Sequence, residues 1–231
     1  AGPAEGPGLP LVGARPGAQP GSQRGVGPRE TVRYLGVDAP EIFWEEGRAQ
    51  AYARQALAAN RRLVNGREVR LELDTEARDS YGRLLAYVYV DGTFVNAWLV
   101  RQGLAEVLLV PPNTRHAPLL LAEQATAVRE KRGMWNVQGP PVPWQEARRY
   151  VDQVIAVEGR VLRAHHDTRS GITFLNFGPR QREDFVVIIR SPYRHLFTPP
   201  PEEAYQGRRI RVVGRVTLYD QRQPQIEVRV P

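Results

Sequence analysis

The chain of 231 residues has an ordinary apolar content of 42%, which is enough for one large domain or two small ones. Its net charge is +7, and Lys131 is its only lysine, so its other basic residues are arginines. This preference for arginine suits a polyanionic partner but also accompanies GC-rich genomes and hot habitats. Cysteine is absent, which excludes disulfides, zinc–thiolate sites and cysteine nucleophiles, and no apolar run reaches the ~20 residues of a membrane span.

The first predicted region, residues 1–28, is rich in glycine and proline. Residues 1–30 contain eight Gly and six Pro and few apolar side chains that could be buried. Such a sequence gains too little from burial to offset the entropy of ordering the chain. We therefore predict an extended or disordered segment before the folded part.

A short strand, TVRYLGV, opens the folded part and is followed by DAPE at residues 38–41. The alternation places Arg33 on one face with Leu35 and Val37, and Pro40 predicts that the chain turns away after the strand. An arginine on an apolar face is normally paired. For this segment alone, a structural ion pair is as good an interpretation as a functional site.

Three helices and a hairpin are predicted between residues 45 and 133. Apolar side chains recur at three- and four-residue steps from Ala49 to Val64, and an Asn-Gly pair then supplies a stop signal. REVRLELD alternates as a half-buried strand, and an Asp-Gly pair after the strand LLAYVYV marks a tight turn. NAWLVRQG and HAPLLLAEQATAVREKRG have the pattern of two further helices, each closed by a glycine.

A second set of strands follows a proline-rich boundary, NVQGPPVPW. Five strands are predicted, with a proline-rich helical stretch after the third, Gly159 inside the first strand and Gly214 inside the fourth. Glycines inside strands accompany strong bending, so the pattern indicates a small coiled barrel. Residues 139–231 carry 15 basic and 10 acidic side chains, which makes this the more basic part of the chain.

Three motifs in order, VRYLGVDAPE, DSYGRLLAYVYVDGTFVNAWLVRQGLAEV and EKRGMW, resemble the staphylococcal nuclease (thermonuclease) family. The resemblance covers roughly residues 29–136 and implies an OB-like five-stranded barrel with three helices. It also implies cleavage of phosphodiester bonds in DNA and RNA with Ca²⁺. We expect a mainly β, α+β chain with a thermonuclease-like domain at 29–138, a linker at 139–146 and a second small OB-type barrel at 147–231.

The resemblance also implies roles for residues of the first two motifs. Arg33 and Arg83 are similar to the family's two phosphate-binding arginines, and Glu41 to the carboxylate proposed as the general base for the attacking water. Asp38 is similar to a calcium ligand, with the Ala39 carbonyl beside it. These residue types suit the hydrolysis of a phosphodiester, because forked guanidinium donors stabilise charge on the phosphate oxygens. A carboxylate can take a proton from the attacking water, and a hard cation screens the charge of the phosphate.

The chain departs from the family before the first motif. The family has Asp-Gly-Asp-Thr there, with the second Asp on the metal, whereas residues 1–37 contain no Asp and the nearest counterpart puts Ser22 at that position. A neutral hydroxyl is a poor ligand for Ca²⁺. Two explanations stay open: a degenerate metal site, or a mis-framed gene start that replaces the family's own segment with residues 1–28.

Aromatic and basic residues form the candidate substrate contacts. Tyr81, Tyr87 and Tyr89 are interpreted as lining a substrate cleft, although ordinary packing explains Tyr87 and Tyr89 at least as well. The second set of strands resembles an OB-fold nucleic-acid-binding domain, which would hold a single strand on basic and aromatic side chains. Its candidate contacts, for which barrel core or a solvated face is the alternative, are Arg163, Phe174, Phe177, Arg190, Arg215 and Tyr219.

The leading hypothesis is a calcium-dependent endonuclease of the thermonuclease type, whose OB module holds single-stranded DNA or RNA. The alternative is a catalytically impaired nuclease-like protein that only binds nucleic acid, and a protein-interaction scaffold is a third hypothesis. We expect a monomer without membrane association. Family members are often exported, which favours a secreted or cell-envelope location and leaves a cytoplasmic one open.

Overall fold

The computed structural model describes residues 30–231, which divide into two compact units: unit 1 ends at Gly133, and unit 2 runs from Met134 to Pro231. Helices and strands occur in both units, which confirms the α+β class, and no closed barrel is found in the described part of the chain. None of its helices is long and apolar enough to span a membrane. The predictions for residues 1–28, including Ser22, lie outside the described residues.

Unit 1 contains short strands and three helices between residues 30 and 133. Their bounds are β1 Val32–Tyr34, β2 Val37–Asp38, β3 Ile42–Phe43, β4 Arg48–Ala49, α1 Ala53–Val64, β5 Arg70–Glu72, β6 Leu84–Val90, β7 Thr93–Phe94, α2 Val95–Arg101, β8 Glu106–Val107 and α3 Ala117–Arg129.

The central sheet of unit 1 has the order β1-β6-β5, and β7 pairs with β6 as a hairpin. β1 lies parallel to β6, whereas β5 and β7 are antiparallel to it. Asp91 and Gly92 have φ values of 48° and 79°, the two positive values that the predicted tight turn between β6 and β7 requires. Strand β6 is therefore the central strand of the sheet, as its continuous apolar sequence predicts.

Helix α1 begins later than predicted because the residues before it form a hairpin. β3 pairs with β4, with Ile42 opposite Ala49, and Gly47 at φ 64° permits the turn between them. Tyr52, at φ 69°, then directs the chain into the helix. The prediction that Ala49 belongs to the helical face is wrong, since alanine spacing alone does not reveal a competing strand pair.

Two buried side-chain amides fix α2 and α3 on the strands. Asn96 of α2 accepts a hydrogen bond from the Val88 N–H at 3.0 Å and donates to the Leu35 carbonyl at 2.8 Å. Gln124 of α3 accepts from the Val107 N–H at 2.6 Å. These amides satisfy backbone groups that would otherwise be buried without partners. Because β8 pairs with β2, α3 also positions the strand that ends at the predicted site.

Unit 2 begins in a 3₁₀ turn, Gly133–Trp135, that spans the boundary, and continues with mainly β structure. Its bounds are β9 Val142–Pro143, a 3₁₀ helix Trp144–Tyr150, β10 Val154–Arg160, β11 Arg163–Asp167, β12 Ile172–Asn176, β13 Val186–Arg190, α4 Ser191–Arg194, α5 Pro201–Tyr205, β14 Arg209–Tyr219 and β15 Gln223–Glu227.

The strands of unit 2 form one sheet in the order β11-β12-β13-β15-β14-β10-β9. The long first strand predicted from the sequence is divided into β10 and β11 by a bend. At this bend the Val161 N–H donates to the Arg208 carbonyl on the β14 side, and the Leu162 N–H donates to the Asn176 carbonyl of β12. One chain segment thus forms hydrogen bonds with two parts of the sheet that β13 and β15 separate, so the sheet is strongly coiled.

Candidate active site

Two arginines of unit 1 lie on the same face of the central sheet. Arg33 of β1 is opposite Leu85 of β6, and Arg83 precedes Leu85 by two residues. Cross-strand partners, and residues two apart along a strand, point to the same face. The parallel pairing of β1 with β6 therefore brings the chain segments that carry Arg33 and Arg83 side by side, across a sequence separation that no local pattern encodes.

Arg33 contacts the carboxylate at the end of the next strand. Its Nη2 lies 3.4 Å from Asp38 Oδ1, and the side chains are 20% and 46% exposed. A partly exposed ion pair at this distance contributes little to stability. The contact therefore orients Arg33 more than it stabilises the fold.

The turn that joins β1 to β2 is shaped by α3. Gly36 has φ +72°, and a Cβ at this position would lie 2.4 Å from Leu120 Cδ1 of α3. The glycine permits both the positive φ and the close approach of the helix. Arg33 and Asp38, on either side of this turn, are consequently held in one arrangement.

Glu41 lies at the base of the β3–β4 hairpin. Its N–H donates to Gln50 Oε1 at 3.0 Å, and the Gln50 N–H donates to the Glu41 carbonyl at 2.9 Å. Since Glu41 follows Asp38 by three positions in the chain, their Cα atoms are at most about 11 Å apart. Trp44, at the tip of the same hairpin, is 62% exposed, and sequence reasoning missed this aromatic side chain next to the predicted site.

Arg83 is fixed by Asp79, a residue that sequence reasoning also missed. The Arg83 Nε lies 2.6 Å from Asp79 Oδ2, and Asp79 Oδ1 accepts from the N–H groups of Arg83 and Tyr81 at 2.9 and 3.0 Å. Burial raises the pKa of Asp79, but the hydrogen bonds from Arg83 and Tyr81 more than offset this effect and hold that pKa below its ordinary value. The signal in the sequence was an acid four residues before the arginine, in a turn that contains glycine.

The tyrosines predicted to line a cleft occupy different environments. Tyr81 is 71% exposed, and the Arg83 Cζ lies 5.3 Å from its ring centroid, so its ring borders the arginine. Tyr87 is fully buried, and its hydroxyl donates to Asp74 Oδ2 at 3.1 Å. The prediction that Tyr87 lines a substrate cleft is therefore wrong, because it is a core residue. Tyr89 stacks on Phe94 with ring centroids 4.7 Å apart, as the packing alternative predicts.

Oxygen donors of the kind that a hard cation requires lie at the end of β2. The Asp38 carboxylate is 46% exposed, and the Ala39 carbonyl follows it in the chain. Ca²⁺ takes about six to eight oxygen ligands. Within residues 30–231, no three Asp, Glu, His or Cys side chains form a group that could hold a metal ion. The roles of Asp38 and Ala39 as calcium ligands therefore stay a prediction.

Five of the six candidate contacts of unit 2 lie on one face of its sheet, which we call the outer face. The registers of β11, β12, β13, β15 and β14 place them on this side, whereas Leu175, Val216 and Ile226 on the other side are buried. Those on the outer face are Arg163, Phe174, Arg190, Arg215 and Tyr219.

These five side chains differ in how they are held, and Arg190 forms an ion pair with Glu227 at 3.3 Å. Phe174 stacks on His165 with ring centroids 5.2 Å apart, and Arg215 Nη1 donates to the Asp152 carbonyl at 3.0 Å. Tyr219 is 58% exposed. Phe177, by contrast, is buried against Phe185, so its predicted role as a contact is wrong and the barrel-core alternative holds.

The site of unit 1 thus contains two arginines at the central sheet, each in contact with an aspartate. Residues 31–137 match the model of the family described as staphylococcal nuclease homologue. These residues are a domain of the staphylococcal nuclease family, as their motifs indicated.

Named relatives match about half of the chain. Endonuclease YncB and the SPbeta prophage-derived endonuclease YokF, both of Bacillus subtilis, are each 42% identical to it, over 115 and 112 residues. The thermonuclease of Staphylococcus intermedius is 35% identical over 110 residues. The alignments cover 49%, 48% and 48% of this chain and 54%, 38% and 66% of the three relatives, so the chain spans about half of their length.

Proposed function

We propose that the chain hydrolyses phosphodiester bonds in DNA or RNA as an endonuclease. The observation that carries this proposal is the common face of Arg33 and Arg83, each held by an aspartate. Donors that are already oriented stabilise the charge that develops on phosphate oxygens in the transition state and need no reorganisation during the reaction. The relatives' names, endonuclease and thermonuclease, agree with this chemistry.

In the proposed reaction a water molecule attacks phosphorus and one phosphorus–oxygen ester bond breaks. The Glu41 carboxylate takes a proton from the water, and the departing oxygen is protonated by solvent. Arg33 and Arg83 donate to the non-bridging oxygens. The Asp38 carboxylate and the Ala39 carbonyl would hold Ca²⁺, which when bound screens the charge of the phosphate.

The outer face of unit 2 is proposed to hold the substrate strand. Arg163 and Arg215 provide positive charge there, and Phe174 and Tyr219 provide aromatic surface on which bases can stack. This combination favours single-stranded DNA or RNA over a duplex, whose bases are stacked on each other. Secretion remains a prediction from the resemblance.

The test is digestion of single-stranded DNA and of RNA while Ca²⁺ is titrated against EGTA, with Arg33→Ala as the inactive variant. Arg101→Ala is the matched control, since Arg101 of α2 forms an exposed ion pair with Glu123 of α3 at 3.2 Å. We expect cleavage that requires Ca²⁺, is lost in Arg33→Ala and is unchanged in Arg101→Ala.

The second candidate function is nucleic-acid binding without cleavage. It is favoured by the absence of a three-ligand metal group among residues 30–231. Salt-dependent binding that is insensitive to Ca²⁺ and to Glu41→Gln, together with intact substrate at millimolar Ca²⁺, would establish it in place of the nuclease.

A further inference from the structure

Unit 2 contains a cavity of about 500 Å³ that the proposed function does not use. It is walled by the 3₁₀ helix Trp144–Tyr150, by the loop between β12 and β13 and by the turn between β14 and β15. Its volume lies in the range of about 300–1,000 Å³ that is typical of small-molecule sites. The lining side chains used below are Trp144, Arg148, Arg180, Asp184 and Arg222, and we refer to the site as the Trp144 cavity.

The indole that forms one wall of the Trp144 cavity is held by two glycines. A Cβ on Gly159 would lie 2.5 Å from Trp144 Cδ1, and a Cβ on Gly178 would lie 2.6 Å from Trp144 Cη2. Neither glycine has a positive φ, so close packing, and not backbone conformation, accounts for both. Trp144 is therefore a rigid aromatic wall, and it is only half-buried.

The three arginines of the Trp144 cavity are not equally neutralised. Arg180 Nη2 lies 2.8 Å from Asp184 Oδ1, and its Nη1 lies 3.2 Å from Glu183 Oε2, so both carboxylates of the lining are paired with this one arginine. Arg148 donates to the backbone carbonyls of Arg222 and Gln221, which carry no net charge. The charge of Arg148 is thus left without a carboxylate partner in the cavity.

Arg222 is the most available of these cations. It is exposed, and no ion pair or side-chain hydrogen bond joins its guanidinium to any residue between 30 and 231. Its backbone carbonyl is held by Arg148, which orders the turn on which it stands. An ordered turn that presents an unpaired guanidinium beside a rigid indole offers one charged and one aromatic contact to the same ligand.

We propose that the Trp144 cavity binds one nucleotide unit of a single strand, with its base against Trp144 and its phosphate on Arg222 and Arg148. This inference rests on the proposed function, because it assumes that the protein engages nucleic acid. The cavity adds to the outer face of the sheet a discrete position where a strand can be anchored. Aromatic stacking tolerates every base, so the site selects for a single strand and not for a sequence.

The first experiment measures the affinity of the full chain for a short fluorescent single-stranded oligonucleotide by anisotropy, in EDTA so that turnover plays no part. Arg222→Gln is compared with Arg61→Gln, which changes an exposed arginine on helix α1 of unit 1. We expect about tenfold weaker binding for Arg222→Gln, with a shallower dependence of affinity on salt. Arg61→Gln should retain the wild-type affinity. Equal losses in both variants, or no loss in either, overturn the proposal.

The second experiment locates the strand. An oligonucleotide that contains 5-bromouracil is irradiated with the protein, and the crosslinked peptide is identified by mass spectrometry. We expect crosslinking to the peptide that contains Trp144, and a several-fold decrease in Trp144→Phe, a variant that keeps an aromatic ring. Crosslinks confined to unit 1 overturn the proposal.

The outcomes for the Trp144 cavity and for the nuclease are separable. A protein that binds at Trp144 but leaves its substrate intact in Ca²⁺ contradicts the proposed activity and supports the cavity. A protein that cleaves DNA while Arg222→Gln has no effect on affinity contradicts the cavity and supports the activity.

Discussion

The arginines of the two units are held in different ways. In unit 1, Arg33 and Arg83 are about one-fifth exposed and each contacts an aspartate, at 3.4 and 2.6 Å. At the Trp144 cavity, Arg148 is held by backbone carbonyls, and Arg222 has no side-chain partner within residues 30–231. A carboxylate fixes the orientation of a guanidinium but neutralises much of its charge, whereas a carbonyl or water leaves the charge available. The first arrangement suits transition-state geometry, and the second suits attraction of an anionic strand.

The largest expected effect is on the rate of cleavage in Arg83→Ala. Removal of one oriented donor from a developing charge costs about 10²–10³ in kcat. The measurement is single-turnover cleavage of single-stranded DNA at saturating Ca²⁺, with thermal unfolding as a check on the fold. Arg222→Gln is the comparison: at saturating substrate it should keep the wild-type kcat. Similar losses of kcat in both variants would erase the distinction between the two kinds of arginine.

Asp79→Asn tests whether the aspartate acts by positioning Arg83. We expect kcat to fall about 10- to 100-fold, as is found when a residue that orients a functional ligand is replaced. Asp79 is ionised in the folded protein because its pKa is lowered. Its contribution to stability is therefore present above its unfolded pKa of about 3.9 and is lost as the pH falls through the lower folded value.

The pH profile separates positioning from a merely structural role of Asp79. Wild-type activity should decline at the acid end as Asp79 is protonated, whereas Asp79→Asn, already neutral, should lack this component. A variant that loses thermal stability but keeps the wild-type kcat and acid profile would show that Asp79 supports the turn and not the arginine's function.

Gly159→Ala tests the rigidity of the wall in the Trp144 cavity. The new methyl group would meet Trp144 Cδ1 at 2.5 Å, and overpacking of this kind destabilises by about 1–3 kcal/mol. Thermal unfolding measures the loss, and a double-mutant cycle with Trp144→Phe should show coupling between the two positions. Additive effects would indicate that Trp144 moves freely, which would weaken the contrast with the ordered arginines of unit 1.

The smallest expected effect is that of Tyr87→Phe on the core of unit 1. Loss of the hydrogen bond to Asp74 should cost about 1 kcal/mol at neutral pH, measured by denaturant unfolding. Burial raises the pKa of Tyr87 to about 12, above its unfolded value of about 10. The stability that this tyrosine contributes is complete below pH ~10 and is lost as the pH rises through the folded pKa.

The alkaline range therefore distinguishes a buried tyrosine from a cleft residue. In the wild type, the phenolate absorbance of Tyr87 should appear only as the pH approaches about 12, and Tyr87→Phe should lose less stability between pH 10 and 12. Titration of Tyr87 near pH ~10 in the folded protein would indicate that it is solvent-accessible and would support its predicted position in the substrate cleft.

Unit 1 shows which sequence patterns are sufficient to predict a turn, the start of a helix or a buried face. The β6–β7 hairpin forms at the predicted turn because Asp91 and Gly92 accept positive φ values, a requirement that two adjacent residues reveal. The start of α1 was predicted too early, since the pairing of Ile42 with Ala49 competes with the helix and leaves no periodic signal. Tyr87 was misassigned because alternation along a strand does not tell which face is covered when helices pack on the sheet.

Motif and local chemistry were enough to predict the family of unit 1, its α+β class and the residues Arg33, Asp38, Glu41 and Arg83 as a candidate site. Only the tertiary structure decided that the two arginines share a face, that Asp79 holds Arg83, and that Trp144 and Arg222 border one cavity. The physical reason is the distance along the chain between the residues that interact. Turn and helix preferences depend on neighbours in sequence, whereas strand register, the packing of Trp144 on Gly159 and Gly178, and the pairing of charges depend on which distant segments the core brings together.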